Sequence, residues 1–209
     1  MTWLLFGAGQ GVGACLLQRA IECKQSVVVV LRDPEQASQW RAQGITVVQG
    51  DACDAEVVAK ACRAAGESAI VVSTMGGGAV NYHGHRVVID GVEQAGITRM
   101  LLVTSLGCGD GWPLLSTRAK AAFGQAVREK SLAESWLQTS SLDYCIVRPG
   151  GLLDVVATHN ARLTQGNAVL GLVSRQDVAL AVDRLLQQPL FGNQIYNLID
   201  PELELPAMP

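Results

Sequence analysis

Long apolar runs are missing from this sequence. None approaches the ~20 residues that a bilayer-spanning helix needs, and the opening Met1-Thr2-Trp3-Leu4-Leu5-Phe6 lacks the basic stretch of a secretory leader. The expectation is a cytoplasmic chain with no membrane partner. Runs of lysine or arginine are missing too, and the formal net charge is −3; without a basic stripe for a phosphate backbone, direct binding to nucleic acid is excluded. The six cysteines include no CxxC pair, so they are read as reduced and largely buried thiols, not as a disulfide frame. There are only three histidines, none with a cysteine or carboxylate at ligand spacing, so no metal site is expected. Aromatic residues are few at 5% and charged residues few at 17%, while hydrophobic residues reach 49%. That balance describes an aliphatic core of the kind a parallel sheet buries between helices on both faces.

What is present is a rhythm. Short Val-, Ile- and Leu-rich runs alternate with longer segments of helical period, as in repeated βαβ units. The pattern predicts strands near Trp3–Phe6, Val27–Leu31, Thr46–Gln49, Ala69–Ser73, Met100–Thr104, Tyr144–Val147 and Gln194–Leu198. It predicts helices over Gly11–Cys23, Pro34–Ala42, Ala55–Ala65, Asn81–Ala95, Ser116–Gln138 and Ser174–Gln188. The 209 residues suit one domain, a doubly wound parallel α/β sheet in three αβα layers. One irregular stretch, Gly150 to Val173, lies between the sixth strand and the last helix and is read as a substrate lid.

Directly after the first strand comes Gly7-Ala8-Gly9-Gln10-Gly11-Val12-Gly13, opening a helix. Glycines here allow a tight turn and let backbone amides reach a diphosphate at a helix N-terminus, where the partial positive charge favours an anion. The loop's place between a strand and a helix, with a second strand following, gives the motif its weight. The second strand ends Val30-Leu31-Arg32-Asp33. An acid at that point would accept from a ribose 2′-hydroxyl, whereas an Arg accommodates a 2′-phosphate. Arg32 therefore favours NADP(H) over NAD(H), with Asp33 as the competing group that a rotation of the turn would present instead.

Further segments complete a pattern: Val47-Val48-Gln49-Gly50-Asp51, Leu102-Val103-Thr104-Ser105-Leu106-Gly107, Leu142 to Leu152 with its Arg148-Pro149-Gly150-Gly151, and Val173-Ser174-Arg175-Gln176-Asp177-Val178-Ala179. Together with the glycine loop they resemble the atypical short-chain dehydrogenase/reductase family, in its NAD(P)H-binding branch of nitrogen-metabolite-repressor-like proteins and flavin or biliverdin-IXβ reductases. The likeness covers nearly the whole chain and implies a Rossmann fold. It also implies that Asp51 and Ala52 contact adenine, that Thr74, Met75 and Gly76 flank ribose and diphosphate, and that Pro149, Gly150 and Gly151 wall the nicotinamide, with Arg148 structural. By the same analogy the chain forms a homodimer through the helices at Asn81–Ala95 and Ser116–Gln138.

Classical members of that superfamily use a Ser, a Tyr and a Lys four residues after the Tyr, the Tyr transferring a proton to the substrate. Here the resemblance places Ser105 at the serine and Lys130 at the lysine, but Ala126 stands where the Tyr belongs. Moving the frame to Lys120 puts Ser116 there instead. Ser105 is read as orienting a carbonyl or carboxamide. Lys130 either holds the ribose hydroxyls or pairs with Glu134 on the helix surface, since an i, i+4 pair explains it equally well. Tyr82, His83 and His85 near the fourth helix, and His159 in the lid, are weaker candidates, read as solvated. Without the Tyr, an alcohol dehydrogenase is disfavoured. The expectation is an NADPH-dependent reductase of a small-molecule conjugated acceptor such as a flavin, quinone or linear tetrapyrrole. A non-catalytic NADP(H) redox sensor is the alternative, and a sugar epimerase or dehydratase, which would keep the Tyr and a larger C-terminal region, is a third.

Overall fold

The computed structural model describes residues 1–166 and 169–203. Five four- or five-residue strands come first: β1 (Trp3–Phe6), β2 (Val27–Leu31), β3 (Thr46–Gln49), β4 (Ile70–Ser73) and β5 (Arg99–Val103). β6 (Asp143–Pro149) is longer, and β7 (Gly151–Leu153), β8 (Arg162–Thr164) and β9 (Leu172–Ser174) are short, before β10 (Gln194–Ile199). The helices between them are α1 (Gly11–Glu22), α2 (Pro34–Ala42), α3 (Ala55–Ala65), α4 (His83–Gln94), α5 (Thr117–Gln138) and α6 (Arg175–Leu186).

Eight strands form one sheet in the order β3-β2-β1-β4-β5-β6-β10-β8. All neighbours are parallel except the last pair, in which β8 runs antiparallel to β10. The chain winds outward from β1 in one direction and from β4 in the other, so the order reverses between these two central strands. This is the doubly wound Rossmann arrangement, and it opens a crevice at the strands' carboxyl ends where β1 meets β4.

Residues of a strand point alternately to opposite faces, and both faces are apolar. Trp3, Leu5, Val27, Val29 and Leu31 join a core with Leu16, Leu17, Val178 and Val182 of α1 and α6. Leu4, Phe6, Val28 and Val30 join a second core with Val58, Val88, Ile89 and Leu137 of α3, α4 and α5. Continuous apolar strands with no polar face require such a double cover. Local chemistry sets where the helices begin. Asp33, Asp54, Ser116 and Ser174 cap α2, α3, α5 and α6 with their side chains, and Pro34 fills the first turn of α2, where its missing N–H costs nothing.

Two expectations are corrected. The helix expected to run from Asn81 is broken: a 3-10 turn covers Gly78–Asn81 and α4 starts at His83. The stretch expected to be irregular, Gly150 to Val173, contains β7 and β8 and runs into β9: β7 pairs in parallel with β9, and β8 extends the main sheet. A second 3-10 turn, Gly109–Leu114, falls where no element is expected.

Arg148 on β6 is buried and forked onto the carboxylate of Glu134 in α5, its Nη2 donating to Oε2 at 2.6 Å and its Nε to Oε1 at 3.0 Å. Thr104, just past β5, donates to Glu134 Oε1 at 2.5 Å, and Asp110 also receives Arg148. The network ties β5, β6 and α5 together under the crevice. One of the two readings of Lys130 pairs it with Glu134 on the helix surface, and Glu134 is instead only 1% exposed. The i, i+4 stripe they share faces the sheet, where a desolvated carboxylate is best satisfied by the forked donors of an arginine. Removing one partner of a buried pair strands the other charge. Glu134→Ala should therefore cost about 3–5 kcal/mol, read as a lowered urea midpoint with an unchanged slope.

Candidate functional site

The crevice is a cleft of ≈ 500 Å³, a size ordinary for small-molecule sites. Its central wall is the β1–α1 turn, which contributes Gly7, Gly9, Gln10, Gly11 and Val12. Gly7 has φ +88°, and a Cβ on it would lie 2.7 Å from the Met75 nitrogen. A Cβ on Gly13 would lie 2.1 Å from the Gly7 carbonyl oxygen and 2.4 Å from Thr74 Oγ1. Only glycines let the turn, the first turn of α1 and the end of β4 approach this closely. Thr74 then locks the junction, its hydroxyl donating to the carbonyls of Phe6 and Gly7 at 3.3 and 3.2 Å.

Two helix starts, those of α1 and α4, carry no side-chain cap, and of these the start of α1 lines the cleft. Gln10, the N-cap of α1, makes no side-chain capping bond, in contrast to the four capped helices. The first amides of a helix need partners, and those of α1 border the cleft among its glycines. A diphosphate fits that cradle by charge and by shape.

From the turn the cleft extends in two directions. Towards the edge strands lie Arg32, Asp51 and Ala52, and beside them Gln36 and Gly50. Arg32 is exposed and forms no ion pair among the described residues. Asp33, its competitor, is occupied: its Oδ1 accepts from the amides of Glu35 and Gln36 at 2.8 and 2.9 Å as the cap of α2. Asp51 closes its own turn by accepting from the Cys53 amide at 2.8 Å. In the other direction lie Thr74, Met75 and Gly76, then Val80, Thr104, Lys130, Pro149 and Leu152.

Lys130 spans this second half. Its Nζ sits 3.4 Å from the Thr104 carbonyl oxygen, and a Cβ on Gly76 would meet Nζ at 3.4 Å. Burial lowers its pKa from the ordinary lysine value, while Cys108 and Glu134 pull the other way. Ala126, one helical turn earlier, offers no donor. Lys130 is the one ionisable side chain that lines this end of the cleft among the described residues.

Four residues expected at the site stand outside its wall. Gly13 is packed beneath the turn, as its contacts show. Ser105 is half-buried next to Thr104 but does not line the cleft. Gly150 and Gly151 pack against the strand opposite: a Cβ on Gly150 would lie 2.3 Å from the Gly171 carbonyl oxygen, and one on Gly151 2.7 Å from Leu172. Tyr82 is also away from the cleft, edge-on to Trp136 at 6.4 Å between ring centres. Sequence reasoning missed Arg175, which lines the cleft beside Gly11. Its only signal was its place after Ser174 in the motif that opens α6.

The segment after β7 is held by the first turn of α6. Gln176 accepts from the Ala157 amide at 2.9 Å, and Asp177 from the amides of Thr158 and His159 at 2.9 and 3.0 Å. Burial pushes the Asp177 carboxyl up, but bonds from Ser174, Thr158 and His159 outweigh it and hold the group below the usual carboxylate range. His159 is exposed. Among the described residues, no group of three His, Cys, Asp or Glu is placed to hold a metal, and no helix is long and apolar enough to cross a membrane.

Comparison with known proteins adds the following. A family model described as NAD(P)H-binding matches residues 7–189. A solved structure of ChuY from Escherichia coli O157:H7, described as an anaerobillin reductase, is 57% identical, with 99% of this chain and 100% of that chain covered and a TM-score of 0.96. A short-chain dehydrogenase/reductase from Veillonella parvula in complex with NADP shares the fold at 18% identity, TM-score 0.74, over 99% and 98% of the two chains. An uncharacterized sugar epimerase, YhfK of Bacillus subtilis (strain 168), is 25% identical over 96% of this chain and 94% of its own length.

His85, on the first turn of α4, is fully buried and supplies a pH test. Its Nδ1 is 3.0 Å from the Asn81 carbonyl oxygen, and its Nε2 has no partner. Burial lowers its pKa to about 4, the Asn81 carbonyl opposes this, and the nearby Lys130 charge adds to it. The folded protein thus keeps His85 neutral where the unfolded chain binds a proton. The stability this gives is complete above pH 6.5 and lost as the pH falls towards 4, by about 3 kcal/mol. His85→Gln should flatten that part of the stability-against-pH curve in denaturant titrations between pH 7 and 4.

Proposed function

This chain belongs to the NAD(P)H-binding family, and from that premise we propose that it is an NADPH-dependent reductase whose acceptor is a linear tetrapyrrole. The observation that carries the cofactor half is the uncapped start of α1 within a glycine cradle that a single Cβ would fill. The nicotinamide group supplies a hydride when bound. The amides of Gly9 to Val12 hold the diphosphate, Asp51 and Ala52 border the adenine, and Arg32, with no carboxylate partner among the described residues, pairs with the 2′-phosphate. Lys130 reaches the ribose and holds a proton at Nζ next to the reacting end. Ser105, close behind Thr104, orients the carboxamide. Pro149, with Gly150 and Gly151 shaping the turn behind it, walls the ring.

The acceptor half rests on two supports. One is the likeness to ChuY, whose description as an anaerobillin reductase comes with 57% identity along the whole chain. The other is the chemistry of the vacant tyrosine position: with Ala126 there, the site suits an acceptor that takes up hydride into a conjugated system and draws its proton from water or Lys130. Cofactor positioning then supplies most of the acceleration. A sugar epimerase normally needs the missing Tyr. The described parts of the segment from Gly150 to Val173 act as the lid, residues 167 and 168 lying outside the described residues, with Leu152, Val155 and Val156 giving an apolar face to a flat ligand; all three are exposed. Exposed Phe123 and Leu132 on α5 support a homodimer through that helix.

Steady-state NADPH oxidation with biliverdin, anaerobillin, flavins and quinones tests the reading. Turnover should be fastest with a linear tetrapyrrole, and no turnover above background with any acceptor would leave the redox-sensor alternative. Arg32→Asp should weaken NADPH by about 10- to 100-fold and NADH far less; equal losses would show that Arg32 does not select the cofactor.

A further inference from the structure

Arg175 has no role in the site as described so far, yet it is built into the cleft. It is the first residue of α6, far along the chain from the glycine loop. Even so, a Cβ on Gly11 would lie 3.7 Å from its Nε. Its guanidinium therefore stands over the open start of α1, where the diphosphate cradle lies. In this structure it is ion-paired through Nη1 to Asp154 Oδ1 at 2.8 Å. Asp154 follows β7 directly and its side chain is 84% exposed, against 27% for Arg175. An ion pair with one partner so solvated contributes little, and a diphosphate held on helix amides is the stronger competitor for a forked cation.

We propose that Arg175 is a diphosphate-binding residue and that the cofactor takes it from Asp154. This rests on the dinucleotide reading above. The exchange gives the cleft an order of events. Asp154 adjoins Val155 and Val156, exposed apolar residues that follow the cleft-lining Leu152, so cofactor binding releases this rim segment from its charge anchor. Gln176 and Asp177 keep the next residues, Ala157 to His159, in place. Dinucleotide thus enters first and frees the apolar rim to close on the acceptor.

The test is calorimetric titration of the full chain with NADPH and with adenosine 2′-monophosphate, which carries the 2′-phosphate but neither phosphate of the diphosphate. Arg175→Gln should weaken NADPH about tenfold or more and leave adenosine 2′-monophosphate within about twofold, whereas Arg32→Gln should weaken both. Asp154→Asn should tighten NADPH alone, because the competing carboxylate is gone. If Arg175→Gln lowers the melting temperature, Arg175→Lys, which keeps the charge and loses the fork, should show an intermediate NADPH loss. Unchanged NADPH affinity in Arg175→Gln, or equal loss of both ligands, overturns the assignment while the cofactor reading stands. A wild-type chain that binds neither ligand overturns both.

Discussion

The site depends on one close approach, that of the β1–α1 turn to the end of β4. Gly7 and Gly13 have no side chain because backbone and the Thr74 hydroxyl already fill that space. Once the turn is pressed against Thr74, α1 must begin at the cleft with its first amides turned outward, and no side chain caps them. The sheet order places this turn at the reversal between β1 and β4, so the open N-terminus of α1 and the cleft coincide. Everything assigned to the cofactor follows from that coincidence.

The opposite end of the cleft is organised by charge. Glu134 lies beneath it and is satisfied three times over by Arg148 and Thr104. A buried carboxylate so fully engaged is unavailable to Lys130, which leaves the ammonium beside the Thr104 carbonyl and the glycines after β4. The lysine is therefore free to meet a ligand because a neighbouring ion pair excludes it. This division of labour also leaves a cationic side chain lining the cleft where Ala126, one turn away, offers no donor.

Much of this was legible in the sequence. The central strands and their helices were readable because an aliphatic run of four or five residues and a helical period of ten or more are distinct patterns, and the glycine loop and Arg32 could be placed from strand ends alone. What was not legible had three physical causes. β7, β8 and β9 are three residues each, too short to show any period, and they exist because distant partners supply their hydrogen bonds. The burial of Glu134 depends on which way α5 faces, and i, i+4 spacing holds equally for an inward or an outward stripe. Arg175 reaches Gly11 across 164 positions of chain, a proximity that only the contact between α1 and α6 creates. Ser105 shows the limit of a motif at single-residue precision: it stands next to Thr104 at the end of β5, and Thr104 is the one of the two that lines the cleft.

The antiparallel β8 has a bearing on how the folded chain keeps to itself. It comes from the same segment that borders the cleft, and it covers the outer side of β10. A bare parallel edge is a template on which other polypeptides can stack. Among the described residues a three-residue strand is all that blunts this edge. A displacement large enough to unzip β8 would expose β10 as an adhesive border, so the short strand guards the sheet against aggregation.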